Sequence, residues 1–255
     1  MPVHDVAATG FDKEAGPYDR ARPSYPDDAV AWIAENLRFE PSRTVADVAA
    51  GTGKLTRLLV PFGASIVAVE PIDGMRAGLR QNVPEVVAVA GTAEALPFAD
   101  ESLDAITVAQ AFHWFDAAAA LREFGRVLAP RGRLALVWNA RDRTAPLVDA
   151  IWSIMDRVER DAPWRAHDEW HESAFVETGF FGPLHEATFA NAQLLSPEGM
   201  VERVQSVSHV AVLPRDEQEK VLDEVRSVLA THPDAAGRSE LTVPYRVDAY
   251  WCERA

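Results

Sequence analysis

Three observations predict an α/β fold built on a doubly wound, mostly parallel sheet. From Thr44 to Asn139 short apolar runs alternate with helical patterns. The first run, residues 44–48, breaks into a turn carrying Gly51 and Gly53, and a helical pattern follows at Leu55, Leu58 and Leu59. The second run, residues 64–70, closes on Glu70, 19 residues after Gly51. Strands alternating with helices imply parallel pairing through right-handed crossovers.

The glycine turn admits several ligand chemistries. Glycine tolerates positive φ and, lacking a Cβ, lets a ligand lie against the backbone. The free N–H groups where the next helix starts then face that ligand. Glu70, closing the following strand, is placed to accept hydrogen bonds from ribose hydroxyls. A P-loop is excluded, because it needs glycine where Val48 stands and Ser or Thr where Leu55 stands. A dinucleotide fingerprint is incomplete, since its third glycine falls at Thr56. A glycine turn in an ordinary α/β domain stays open on this stretch alone.

The run Asp47-Val48-Ala49-Ala50-Gly51-Thr52-Gly53, an acid and small residues before Gly-x-Gly, closely resembles the nucleoside site of class I S-adenosylmethionine-dependent methyltransferases. It departs from their pattern at Ala49 and Ala50, where the family commonly has Gly and Cys. Alanine is small enough that only slightly reduced room is expected. The resemblance implies a Rossmann-like sheet with an antiparallel last strand and a helical cap. It also implies contacts to the cofactor from Asp47, Ala49, Gly51, Thr52, Gly53 and the Glu70-Pro71-Ile72 strand end. Ile72 and Met75 suit an adenine pocket or a plain core.

Four more segments carry the resemblance. Residues 11–26 resemble the start of small-molecule methyltransferases that include trans-aconitate methyltransferase, a segment that folds over the cofactor. Tyr18 and Arg22 would lie near the methionine moiety, where an arginine can pair with its carboxylate; Tyr25 would face the acceptor. A surface turn is the plain alternative. A third strand at 86–90 ends in Gly91-Thr92-Ala93-Glu94-Ala95-Leu96-Pro97-Phe98, similar to the family's adenine-side loop. Thr92, Ala93 and Glu94 would border the base, unless this is a strand-to-helix loop capped by Thr92. A fourth strand at 102–109 delivers Ala109-Gln110-Ala111-Phe112-His113-Trp114-Phe115-Asp116, which resembles the trans-aconitate group. Gln110 and Ala111 would touch the cofactor, His113 and Trp114 the acceptor. The passage Leu128–Leu136 matches the family's entry into its fifth strand.

Other elements follow in order. Residues 27–37 form an amphipathic helix with Asp27 as a possible cap, and Pro41 ends the linker. A short helix runs to Leu79, and Asp116 caps the alanine-rich helix to Leu128. Arg131 and Arg133 are expected as solvated charges on a turn before a strand at 131–139. Helices are predicted at 148–160, 197–207 and 214–230, with strands at 186–193 and 241–251. Met200, Val204, His209 and Val212 suit either the cap lining or a core stripe, and Arg203 and His209 are candidate acceptor contacts. The whole is one domain over 1–255. It divides into an N-terminal lid and first helix (1–40), a cofactor-binding core (41–140) and a C-terminal part (141–255) with a cap around 195–235.

Composition bounds the partners. The 255 residues are 48% hydrophobic, enough for one large domain without disulfide or metal support. A net charge of −14 disfavours nucleic acid as a partner, because phosphates need a basic surface. One cysteine, no apolar signal core and no 18-residue apolar run fit a cytoplasmic protein with no membrane span. A monomer or homodimer acting on a small-molecule acceptor is expected.

Methyl transfer from a sulfonium needs positioning and no metal. His113 is the candidate base if the acceptor must lose a proton, its ordinary pKa lying near neutrality. With a carboxylate acceptor it would orient or neutralise instead. Trp114 could stack on the acceptor or shield the sulfonium. A non-catalytic binding protein on the same fold and a nicotinamide-dependent oxidoreductase are the alternatives.

Overall fold

In a computed structural model the described residues are 22–159 and 172–255. One sheet of seven strands organises them: β1 (Thr44–Val48), β2 (Ser65–Val69), β3 (Val87–Val89), β4 (Leu103–Ala109), β5 (Leu128–Arg141), β6 (His185–Leu195) and β7 (Leu241–Glu253). Their order is β3-β2-β1-β4-β5-β7-β6. Strands β1 to β5 pair in parallel, and β7 runs antiparallel to both β5 and β6.

Burial explains the two strand types. β1 and β4 are covered on both faces, so Val45, Ala46, Val48, Ala105, Ile106 and Val108 are all buried, and the strands read as apolar runs. In β7 only alternate residues are buried, among them Leu241, Val243, Tyr245 and Val247. β6 forms an edge without a fully buried residue.

Nine helices lie among the described residues: α1 (Asp27–Asn36), α2 (Thr56–Leu59), α3 (Asp73–Asn82), α4 (Ala117–Val127), α5 (Pro146–Glu159), α6 (Glu172–Thr178), α7 (Pro197–Gln205), α8 (Ser208–Ala211) and α9 (Arg215–Thr231). Val30, Ile33 and Leu79, from α1 and α3, pack on Val45, Ala135 and Val137 on one face of the sheet. Leu121, Phe124 and Phe175, from α4 and α6, pack on Ile106, Val108, Leu134 and Leu136 on the other. A third core joins Trp152 of α5, Met200 and Val204 of α7 and Leu222 and Val225 of α9 to Leu241, Val243 and Tyr245 at the start of β7. That third core is the body of the cap. Met200 and Val204 therefore belong to a core stripe, whereas Val212 is exposed.

Several expectations need correcting. α6 was not anticipated, and no helix separates β3 from β4; Thr92 instead makes a bridge with Ala95. Asp27 does not cap α1, whose N-cap is Pro26 without a side-chain bond. β5 starts earlier than expected, at Leu128, and absorbs Arg131 and Gly132 through a register shift. Arg131 is exposed, as expected, but Arg133 is largely buried. Both pair with Glu253 on β7, at 3.0 and 3.2 Å, and Arg133 also lies 4.4 Å over the Trp251 ring. The register opposing Arg133 to Glu253 joins residues 120 apart, which local patterning cannot reveal.

Asp116 caps α4 as expected, accepting from Ala119 N at 3.0 Å. Its replacement by Ala removes that acceptor and is expected to lower unfolding free energy by about 1 kcal/mol. Urea denaturation measures it; an unchanged midpoint would show the cap to be energetically idle.

Candidate functional site

Strand order reverses between β1 and β4, and open parallel sheets take ligands outside the carboxyl ends of their strands at such a point. The residues just beyond both strands share one backbone feature: Ala49 and Gln110 have φ of 55° and 57°. A left-handed conformation costs an L-residue about 1 kcal/mol, and such strain tends to sit where function fixes the backbone. Glycine at position 49 would adopt this conformation without that cost. Gln110 is held there by its N–H, which donates to Val137 O at 2.9 Å.

The two turn glycines differ in what they permit. A Cβ on Gly51, at φ 58°, would meet nothing within 4 Å, so the turn presents an open backbone surface. A Cβ on Gly53, at φ 83°, would fall 2.8 Å from Val83 Cγ2 and 3.2 Å from Leu79 Cγ. That glycine admits the end of α3 against the turn. Thr52 is buried beside it, and its carbonyl accepts from Asn82 Nδ2 at 3.0 Å.

Glu70 binds these loops together. Its Oε2 accepts from Gly51 N at 2.8 Å and its Oε1 from Ile72 N at 2.9 Å, with the residue only 4% exposed. Burial raises its pKa, while the two backbone bonds and Arg76 oppose that shift. Arg76, which the sequence reading missed, donates to Glu70 O at 2.6 Å and Pro71 O at 3.2 Å, fixing the strand end. A carboxylate has about four lone-pair sites, so two backbone bonds leave Glu70 able to accept from ribose hydroxyls.

Asp47 lies beneath the turn and not on its surface. It is 1% exposed and accepts from Thr56 Oγ1 at 2.5 Å and Thr107 Oγ1 at 2.8 Å. It therefore positions β1, β4 and α2 relative to one another through two hydroxyls. Desolvation pushes its pKa up to about 6, against the lowering effect of both hydroxyls.

The adenine-side loop is equally anchored. A Cβ on Gly91 would fall 2.9 Å from both Pro97 Cδ and Val69 Cγ1, so the loop folds tightly over the end of β2. Ala93 is buried, Ile72 is half-buried, and Glu94 Oε1 accepts from Asp116 N at 3.1 Å. Glu94 thus links this loop to the segment after β4. In that segment a 3-10 turn, Phe112–Trp114, sets His113 beside Trp114, with ring centroids 5.3 Å apart. Trp138 Nε1 on β5 donates to His113 Nδ1 at 3.3 Å. This bond assigns Nδ1 as an acceptor and the proton of neutral imidazole to Nε2. Ala111 is buried in the core below.

The remaining expected contacts separate. Tyr18 lies outside the described residues, as does the side chain of His209 in α8. Tyr25 is buried with Ala29 and Ile33 in a core. Arg22 is a link between turn and cap: its carbonyl accepts from Lys54 Nζ at 3.0 Å, and its Nη2 donates to Ser206 O at 2.7 Å. Ser24 O accepts from both Asn139 Nδ2 and Asn191 Nδ2, at 3.2 and 2.7 Å, so the sheet edge holds this segment down. Arg203 sits in α7, buried against Tyr245 and Trp152.

Comparison with known proteins meets this geometry at the same residues. A methyltransferase-domain family model matches residues 46–136, which span the turn, Glu70, the adenine-side loop and His113. An uncharacterized methyltransferase of Mycobacterium tuberculosis is 39% identical over 243 residues, covering 92% of this chain and 91% of that protein. The chain belongs to the class I methyltransferases. A methyltransferase-like protein of Schizosaccharomyces pombe is 34% identical over 245 residues, 96% of this chain and 95% of its own length. Among solved structures, a type II methyltransferase from Anaeromyxobacter dehalogenans, so described as a putative one, superposes with a TM-score of 0.62 at 26% identity. That match covers 91% of this chain and 96% of that one.

The methyltransferase uses S-adenosylmethionine. The site fits that cofactor through the open face at Gly51, the spare acceptor capacity of Glu70 and the tight loop at Gly91. Among the described residues no cluster of potential metal ligands occurs, and no helix is long and apolar enough to cross a membrane.

The pKa of Asp47 makes a pH prediction. An acid whose pKa is higher in the folded state favours folding when protonated, so its contribution is lost as pH rises from 3.8 to about 6. Relative to Asp47→Asn, the wild-type methyltransferase is expected to lose stability across that window, by about 3 kcal/mol at most. Parallel urea titrations of both proteins over the window test this. A constant difference between them would mean that Asp47 titrates normally.

Proposed function

We propose that this methyltransferase acts on an oxygen of a small-molecule acceptor, a carboxylate or a hydroxyl, with carbon as the less favoured alternative. The observation that carries the reading is the 3.3 Å bond from Trp138 Nε1 to His113 Nδ1. It engages the nitrogen that would otherwise serve as base and leaves the imidazole a donor through Nε2. A donor suits an acceptor oxygen that is already anionic or readily becomes so. His113 then orients the reacting oxygen; with a hydroxyl acceptor it would have to exchange its bond to Trp138 before accepting a proton.

S-adenosylmethionine, when bound, supplies a methyl group activated on a positively charged sulfur. The chain's own contribution is to hold two reactants in line, which can account for a large part of the barrier reduction. Glu70 would hold the ribose, with Gly51 and Gly53 in the turn beneath. Thr92, Ala93, Glu94 and Ile72 would border the adenine, and Ala49, Thr52, Pro71 and Gln110 would shape the surrounding wall, with Asp47 and Ala111 supporting it from beneath. Trp114, whose ring adjoins His113, would present an aromatic face to the cation or the acceptor. The resemblance of Gln110–Asp116 to the trans-aconitate group supports a small acceptor.

Two measurements test this. Calorimetric titration with S-adenosylhomocysteine is expected to give binding that weakens about tenfold or more in Glu70→Ala. Equal affinity in the variant would remove Glu70 from the ribose site. Transfer of a radiolabelled methyl group to a panel of small acids, phenols, alcohols and amines then reads the acceptor atom. Label released as methanol by alkali marks a carboxylate, and alkali-stable label on an oxygen marks a hydroxyl. Label confined to nitrogen would overturn the oxygen assignment.

A further inference from the structure

We propose that the cap contains a carboxylate-binding site, built on Arg203 and Trp152, that recognises an acidic group of the acceptor away from the atom methylated. The proposal rests on the small-acceptor reading above and narrows it to anionic acceptors.

Arg203 is 3% exposed, yet its guanidinium has no ion-pair partner among the described residues. Its one hydrogen bond runs from Nε to Tyr245 Oη at 3.3 Å, and Nη1 is enclosed without any acceptor. Its Cζ lies 5.8 Å from the centroid of the Trp152 ring, and the indole Nε1 of Trp152 is likewise enclosed without an acceptor. Two donors on contacting side chains are therefore both unsatisfied. Each such group is costly when buried, and for a charged one the cost reaches several kcal/mol. A second guanidinium, that of Arg141, stacks on the same indole at 4.9 Å. A water could satisfy a donor but cannot balance the charge. A carboxylate can do both, offering two oxygens of opposite charge to a planar guanidinium and its neighbour.

The position favours the acceptor as the source. Tyr245 pairs with Arg141 at the far end of β5, four residues beyond the Ala109–Val137 pair that ends β4. At strand rise this places the cluster roughly 13 Å above the last β4 residue, on the ligand side of the sheet. Arg203 O accepts from Ser206 Oγ at 2.8 Å, and Ser206 O is fastened through Arg22 to Lys54 of the glycine turn. The cluster thus belongs to the cap but is tied to the cofactor turn by a short chain of bonds. The cofactor's own methionine carboxylate has the same chemistry, and the experiment separates the two.

The full chain, wild type and Arg203→Met, is titrated with benzoate, succinate and citrate and with the neutral controls benzamide and succinamide. Each titration is followed by calorimetry and thermal unfolding, with and without S-adenosylhomocysteine. At least one carboxylate is expected to bind and raise the melting temperature of the wild type while the amides do not. Its affinity is expected to fall about thirtyfold or more in Arg203→Met, with partial recovery in Arg203→Lys. Affinity for S-adenosylhomocysteine should stay within about twofold. Carboxylate binding absent from the wild type, or unchanged in Arg203→Met, would overturn the site. If instead S-adenosylhomocysteine weakens about tenfold and 5′-methylthioadenosine, which lacks the carboxylate, does not, Arg203 holds the cofactor and the acceptor assignment fails. Should Arg203→Met not fold, the wild type and Arg203→Lys decide by the contrast between acids and amides. Failure of S-adenosylhomocysteine to bind the wild type would count against the function proposed above, and the titrations without it still judge this site.

Discussion

A single buried carboxylate holds the ligand edge in shape. Glu70 accepts from Gly51 N on one loop and Ile72 N on the next, so the turns after β1 and β2 share one anchor. Neither turn could be placed by its own strand alone, because the N–H groups involved point out of the sheet into a loop. The cost of burying Glu70 is offset by those bonds and by Arg76, which clamps the carbonyls on either side of the Glu70–Pro71 peptide bond. Asp47 does the corresponding job below the turn, with hydroxyl partners in place of backbone. The proposed cofactor surface is thus held from both sides by acids that face protein first.

Much of this was legible in the sequence, for physical reasons. Strands buried on both faces must be apolar runs, and a glycine pair followed by a helical period marks the turn, so β1, β4 and the turn after β1 could be placed closely. Glu70 was legible because it terminates a strand at a fixed distance from the turn. The role of Asp47 was legible only in part: its position was found, but its burial depends on Thr107, a residue 60 positions away on another strand. His113 could be found beyond β4, yet the Trp138 bond that sets its proton could not, since it depends on β4–β5 register. Arg133 misled for the same reason.

The cap shows where local patterning stops. α7 and α9 were visible as amphipathic helices, and their apolar stripes do close a core with α5 and β7. A stripe says that a helix packs; it does not say against what. Arg203 lies on the buried side of α7 and would ordinarily be expected at a surface. Its burial against an indole and a phenol, and not against an acid, is a tertiary fact. Arg22 is similar, for its guanidinium reaches a cap carbonyl 184 residues away.

The strand order has a consequence for how the molecule comes into being. β7 follows β6 in sequence but lies between β5 and β6, so β6 has no place in the sheet until β7 is made. The clamp of Asn139 and Asn191 on Ser24 O needs that strand pair as well. The residues up to β5 therefore hold the turn and Glu70 early in synthesis but gain the cap and the tethered entry segment only once β7 is made. Such closure rests on long-range contacts, whose loop entropy must be met before they form, and this slows folding. A ribosome-bound chain lacking β7 would leave β5 as an open sheet edge, while the turn after β1 is already held between β2 and β4.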